Sequence, residues 1–75
     1  EGQDLNQAKE WIAKAAELNP KAFWVMRQQS LIHAKLGDTK GAIAAAKKSL
    51  AAAEEAGNQD YVKLNKDSLK EWGAL

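Results

Sequence analysis

Residues 38–48 of this chain read DTKGAIAAAKK, and three of them repeat residues that stand 34 positions earlier. The three pairs are Asp4 with Asp38, Ala8 with Ala42, and Lys14 with Lys48. A spacing of about 34 residues is typical of helix–turn–helix units that stack on their neighbours. The spacing therefore predicts an all-α chain built from packed helical hairpins.

Length and composition narrow the classes of protein. The chain has 75 residues, no cysteine, one histidine and a net charge of +1. We expect residues 1–75 to form one small helical domain without disulfide bonds or a thiolate metal site. Because the chain starts at Glu1 without a methionine and leads directly into a helix, we expect it to be a segment of a longer protein.

Hydrophobic periodicity predicts four helices, at about residues 5–18, 21–36, 39–56 and 60–72. Asp4 and Asp38 are the predicted N-caps of helices 1 and 3. Pro20 suits the first turn of helix 2, and Gly37 suits a left-handed residue at its end. Short connections make consecutive helices antiparallel.

Apolar residues define an inward face on the two terminal helices. The predicted set is Ala8, Trp11, Ile12, Ala15 and Leu18 on helix 1, and Tyr61, Leu64, Leu69 and Trp72 on helix 4. Trp11 and Trp72 are the predicted core anchors, because buried tryptophans contribute large apolar areas.

Helices 2 and 3 carry a bulky, a small and an aromatic-type position, then a Leu-Gly-Asp turn, then small packing residues. These positions are Met26, Ser30 and His33, residues 36–38, and Ala42, Ala46 and Ser49. The pattern resembles the tetratricopeptide repeat (TPR) family. The resemblance implies a TPR-like right-handed stack of about one and a half repeats, with helix 4 as a terminal cap that matches helix 2 at an offset of 38 residues.

The chain departs from the family pattern at three positions. Gln29 stands where the family has leucine, Ala46 where it has a large aromatic residue, and Glu54 where it has a closing proline. A narrower similarity covers Ala22 to Trp72, which resembles the C-terminal helical tail of a group of bacterial proteins of unknown function. Those proteins carry a β-rich domain before the tail and are often exported, so this resemblance implies an exported or periplasmic protein.

One face of helix 2 mixes apolar and polar side chains: Trp24, Arg27, Gln28, Leu31 and Lys35. Aromatic residues and arginine often anchor protein interfaces. In the TPR family this face lines the groove that holds peptides, so the resemblance implies a site for a protein or peptide partner. An alternative stays open: Trp24 and Leu31 pack against helix 1, or against a helix upstream of it.

Other functions lack support in the sequence. No nucleophile motif, paired carboxylates or glycine-rich phosphate loop is present, and a single histidine cannot build a metal site, so we expect neither an enzyme nor a cofactor. His33 has no partner suggested by spacing and is predicted to pack. Asp67 and Glu71 offset the lysines of helix 4, which disfavours nucleic-acid binding. No apolar run approaches the length of a membrane span.

The sequence thus predicts a non-enzymatic protein-interaction module that binds its partner on the helix 2 face. The alternative is a structural helical tail that packs on its parent domain or self-associates through helix 1. Helix 1 has no hairpin mate in this sequence, so part of its apolar face is predicted to remain uncovered.

Overall fold

The computed structural model describes residues 5–75, with side chains from residue 7 onward. It contains four helices: α1 (Leu5–Leu18), α2 (Phe23–Lys35), α3 (Thr39–Ala56) and α4 (Gln59–Glu71). No strand occurs within residues 5–75. The predicted all-α fold of four antiparallel helices is confirmed, with boundaries within two residues of those expected. The predicted N-cap Asp4 lies outside the described residues.

Pro20 shapes the connection between α1 and α2. The amide of Ala22 donates to the carbonyl of Asn19 at 3.0 Å, which closes a turn with Pro20 at its second position. The fixed φ of proline suits that position. Helical hydrogen bonding then begins at Val25 and Met26, whose amides both reach the Ala22 carbonyl. The prediction that Pro20 lies in the first turn of helix 2 is therefore wrong, because Pro20 belongs to a separate turn that precedes α2.

The connection between α2 and α3 follows the prediction. Gly37 has a φ of +83°, in the left-handed region that residues with a Cβ rarely adopt. The amide of Asp38 donates to the His33 carbonyl at 2.8 Å, so the last carbonyls of α2 are satisfied. Asp38 then caps α3, because its Oδ1 accepts from the Gly41 amide at 3.0 Å.

His33 takes part in this turn as well. Its Nδ1 lies 2.9 Å from Oδ2 of Asp38, so the expectation that His33 has no partner is wrong. A Cβ at position 41 would stand 2.6 Å from the same His33 nitrogen, which is too close for a non-bonded carbon. The absence of a side chain at Gly41 therefore leaves room for the His33–Asp38 pair.

The core is built mostly from alanine, and α2 lies at its centre. Among the described helices, α2 contacts all three others, α3 contacts α2 and α4, and α1 contacts α2 alone. The buried apolar residues are Ala22, Met26, Ala42, Ala45, Ala46, Ala53, Val62 and Leu69. Small side chains let helix axes approach closely, but each contributes little apolar area.

Several predicted core positions are exposed. Trp11 is 73% exposed and Leu18 is 75% exposed, so Trp11 is not a core anchor. Leu64 of α4 is 43% exposed, although it was predicted to face inward. The reason is topological: α1 is covered by one helix only, and α4 by α2 and α3 on one side. Trp72 is partly buried at the end of α4.

The match of helix 4 to helix 2 at an offset of 38 residues holds for burial at Ser30 and Ser68, which are both buried, but not at every pair. Met26 is 6% exposed, whereas its counterpart Leu64 is 43% exposed. The left-handed glycines after the two helices, Gly37 and Gly73, are 36 positions apart instead. The residue types of α2 and α4 thus match at an offset of 38, whereas the glycines that follow the two helices match at an offset of 36.

The cap at Asp38 predicts a dependence of stability on acid pH. The hydrogen bond from the Gly41 amide, and then the contact with His33, lower the pKa of Asp38 below its ordinary value of 3.8. The folded protein thus holds fewer protons on this group than the unfolded chain. Its contribution to stability is present above the ordinary pKa and is lost as pH falls through the lowered pKa.

We expect Asp38→Asn, which keeps a capping oxygen, to flatten the pH dependence of the free energy of unfolding below about pH 4. Asp38→Ala removes the capping oxygen too and should unfold at lower urea concentration at neutral pH. Urea titrations followed by circular dichroism at several pH values measure both. An unchanged acid limb in Asp38→Asn would contradict the assignment.

Candidate functional site

Four of the five predicted site residues lie exposed on one face of α2. We call Trp24, Gln28, Leu31 and Lys35 the α2 strip. Their separations of four, three and four residues place them in line along the helix. Trp24 is 54% exposed and Leu31 is 40% exposed, so the α2 strip presents two apolar side chains among polar ones.

Aromatic contacts hold Trp24 at the start of the α2 strip. The ring of Trp24 meets Phe23 edge to face, with ring centroids 5.0 Å apart. Phe23 in turn meets Tyr61 of α4, with centroids 4.9 Å apart. Such edge-to-face pairs are favourable beyond their buried area. Trp24 is therefore braced from α4 while half of its surface remains accessible.

Arg27, the fifth predicted site residue, points toward α4. Its Nη1 donates to the side chains of Asn65 at 3.2 Å and Ser68 at 3.0 Å, and lies 3.3 Å from the Leu64 carbonyl. A guanidinium presents several donors in a fixed geometry, which suits bridging one helix to another. The structure thus places Arg27 between α2 and α4, apart from the α2 strip.

Buried polar groups continue this contact into the core. Asn65 is fully buried, and its Nδ2 donates to Oγ of Ser49 at 2.7 Å. Ser49 is also fully buried and donates to the carbonyl of Phe23 at 2.8 Å. We call Arg27, Ser49, Asn65 and Ser68 the polar bridge. It joins α2, α3 and α4, and in the described part of the chain no buried side-chain nitrogen or oxygen lacks a partner.

The polar bridge was not predicted from the sequence. Ser49 was assigned to close packing only, and Asn65 was not singled out. A signal was present, because Val62, Asn65 and Leu69 lie three and four residues apart on one face of α4. An asparagine within an apolar stripe indicates a buried hydrogen-bond partner, since an unpaired amide in the core is costly.

A cleft lies on the opposite side of α2 from the strip. It has a volume of about 790 Å³ and separates α1 from α3, whose backbones do not pack against each other. Its lining consists of Ala13, Ala16, Glu17 and Pro20 from α1 and its turn, Met26 and Gln29 from α2, and Lys48, Ala51, Ala52 and Glu55 from α3. We call this the α1–α3 cleft. This cleft was not predicted from the sequence.

The remaining charged groups are dispersed. Lys63 and Asp67 form an exposed ion pair at 3.1 Å on α4, and such pairs contribute little to stability. Within residues 5–75 no group of three or more histidine, aspartate or glutamate side chains is placed to hold a metal ion. None of the described helices is both long and apolar enough to cross a membrane.

Comparison of the chain with protein-family models, with curated proteins and with solved structures finds no match. The function of this chain is therefore inferred from its residues and their geometry.

The polar bridge predicts that Arg27 stabilises the fold. Arg27→Met keeps an aliphatic stem but removes the donors to α4, and we expect the free energy of unfolding to fall by about 1–3 kcal/mol. Gln28→Met is the matched control, because Gln28 is exposed on the same turn and its replacement should change stability by less than about 0.5 kcal/mol. Urea unfolding followed by circular dichroism compares the two variants. Equal stabilities would show that Arg27 does not hold α4.

Proposed function

We propose that this chain is a non-enzymatic protein-interaction module that binds a peptide or a partner domain on the α2 strip. The supporting observation is that Trp24 and Leu31 remain about half exposed on the helix that contacts all three other described helices. Exposed aromatic residues with few flexible torsions are favourable anchors, since little side-chain entropy is lost when they bind.

The α2 strip combines apolar, polar and charged side chains, as protein interfaces do. Gln28 lies between the two apolar residues and offers an amide donor and acceptor, while Lys35 ends the strip with a positive charge. Trp24 and Leu31 are separated by seven residues, or roughly 10 Å along the helix axis. A partner with two apolar side chains at that spacing fits the strip.

Resemblance to the TPR family supports the same surface, since first-helix faces line the groove in that family. The residues that carry the resemblance are Met26, Ser30 and the turn at residues 36–38. Arg27 leaves the proposed contact set, because its Nη1 is engaged by α4. The proposed anchors are therefore Trp24 and Leu31, with Gln28 and Lys35 at their sides.

A display library of random short peptides, selected on the immobilised chain, tests this proposal. Enriched peptides are synthesised and their affinities measured by isothermal titration calorimetry. We expect Trp24→Ala and Leu31→Ala each to weaken binding by about tenfold or more, as loss of an interface anchor does.

The chain offers matched controls for both changes. Trp11→Ala removes another exposed tryptophan, on α1, and Leu75→Ala removes another exposed leucine, at the end of the chain; neither residue belongs to the α2 strip. These controls should bind the selected peptides as the wild type does. Peptides that respond equally to the controls and to the strip variants would contradict the proposed site.

A second candidate function, a structural tail that packs on a parent domain or on another copy, has support on α1. Trp11 and Leu18 lie seven residues apart, and both are about three-quarters exposed. Large exposed apolar side chains in line on one helix favour association. In this second function the α1 surface, not the α2 strip, makes the contact.

Analytical ultracentrifugation over a concentration series tests the self-association form of this candidate. We expect the wild type to sediment increasingly as a dimer as concentration rises, and Trp11→Ala with Leu18→Ala to remain monomeric. The α2 strip variant Trp24→Ala is the control and should dimerise like the wild type. A wild type that stays monomeric at millimolar concentration would exclude self-association through α1.

A further inference from the structure

We propose that the α1–α3 cleft is a second binding site, and that it takes an arginine-bearing segment of a partner protein. The cleft lies on the face of α2 opposite the α2 strip. Met26 at its floor stands two residues from Trp24, which is about 200° around a helix. The two surfaces are therefore independent.

The shape of the cleft suits a side chain with a long apolar stem. Its walls are alanines, which end at Cβ and leave the space between α1 and α3 open. Its volume of about 790 Å³ falls within the usual range for ligand sites in proteins. Met26 is 6% exposed, and its flexible thioether side chain adapts to the shape of what lies against it.

Negative charge is concentrated at one end of the cleft. Glu17 stands in the last turn of α1 and Glu55 in the last turn of α3, and both line the cleft. The helices α1 and α3 run in the same direction, since each is antiparallel to α2, so their C-terminal ends lie at the same end of the cleft. Neither helix has a basic residue in its last turn to offset the negative end of the helix dipole.

Glu17 and Glu55 belong to no ion pair within 4 Å in the described part of the chain, and neither does Lys21 in the turn after α1. The ion pairs within 4 Å in the described part of the chain are His33–Asp38 and Lys63–Asp67, and neither reaches the cleft. Lys48 is the basic residue of the lining, and it precedes Glu55 by seven residues, or roughly 10 Å along α3. The cleft thus has an acidic end and a basic end.

This distribution selects the occupant. An arginine can lay its methylene stem along the alanines and Met26 while its guanidinium donates to Glu17 and Glu55. A carboxylate about three residues away in an extended segment would reach Lys48, because an extended chain advances roughly 3.3 Å per residue. The partner segment therefore carries an arginine, two small or apolar residues and a glutamate or aspartate.

The probe is the synthetic peptide acetyl-Arg-Ala-Leu-Glu-amide, titrated into the isotopically labelled chain and followed by amide chemical shifts. We expect the shift changes to centre on Ala13, Ala16, Ala51 and Ala52. Glu17→Gln combined with Glu55→Gln should weaken the binding by roughly tenfold, and added salt should weaken it too.

Glu10→Gln combined with Glu54→Gln is the matched control. It removes the same charge from the same two helices at positions outside the cleft lining, and it should leave the affinity within about twofold of the wild type. The α2 strip variant Trp24→Ala should also bind the peptide with unchanged affinity. This variant distinguishes failure of the cleft proposal from failure of the α2 strip proposal.

Three results would overturn the assignment. The first is that the neutral peptide acetyl-Gln-Ala-Leu-Gln-amide shifts the same amides to the same extent, which would remove the role of charge. The second is that the control pair of glutamate substitutions reduces binding as much as the substitutions at Glu17 and Glu55. The third is that the shift changes lie on other surfaces, or are absent at millimolar peptide, in which case the cleft does not take this class of ligand.

Discussion

The hydrogen bond between Asn65 and Ser49 is the contact on which the arrangement of three helices depends. Both side chains are fully buried, so neither has water as an alternative partner. Ser49 passes the connection to the Phe23 carbonyl, and Asn65 accepts from Arg27. A shift of α4 along α2 or α3 would break these bonds together, whereas an apolar contact tolerates sliding.

This constraint matters more because the core is thin. The fully covered positions of α3 are alanine and serine, as at Ala42, Ala46 and Ser49, and they bring the helices close without burying much apolar area. A small domain with little apolar burial has a small margin of stability. Hydrogen bonds that specify one alignment of the helices, and caps such as Asp38, therefore contribute a larger share of the stability than they would in a leucine-rich bundle.

The polar bridge also shapes the surface on which function is proposed. It draws Arg27 out of the face that the sequence assigned to a partner, and it holds α4 beside α2, where Tyr61 supports Phe23 and Phe23 supports Trp24. The α2 strip thus presents its two apolar side chains, Trp24 and Leu31, from a helix that α4 supports. On the other side of α2, the separation of the α1 and α3 backbones leaves a cleft with Glu17 and Glu55 at one end and Lys48 toward the other.

The sequence by itself determined the number and order of the helices, the left-handed Gly37 and the cap at Asp38, because these depend on periodicity and on residues close together in the chain. It also placed Trp24 and Leu31 on one face of α2. Tertiary structure alone decided that Trp11 is exposed, that Arg27 turns to α4, and that Asn65 meets Ser49. Each of these outcomes depends on which helices lie beside a given face, and a helical period defines a face without naming the neighbour that covers it.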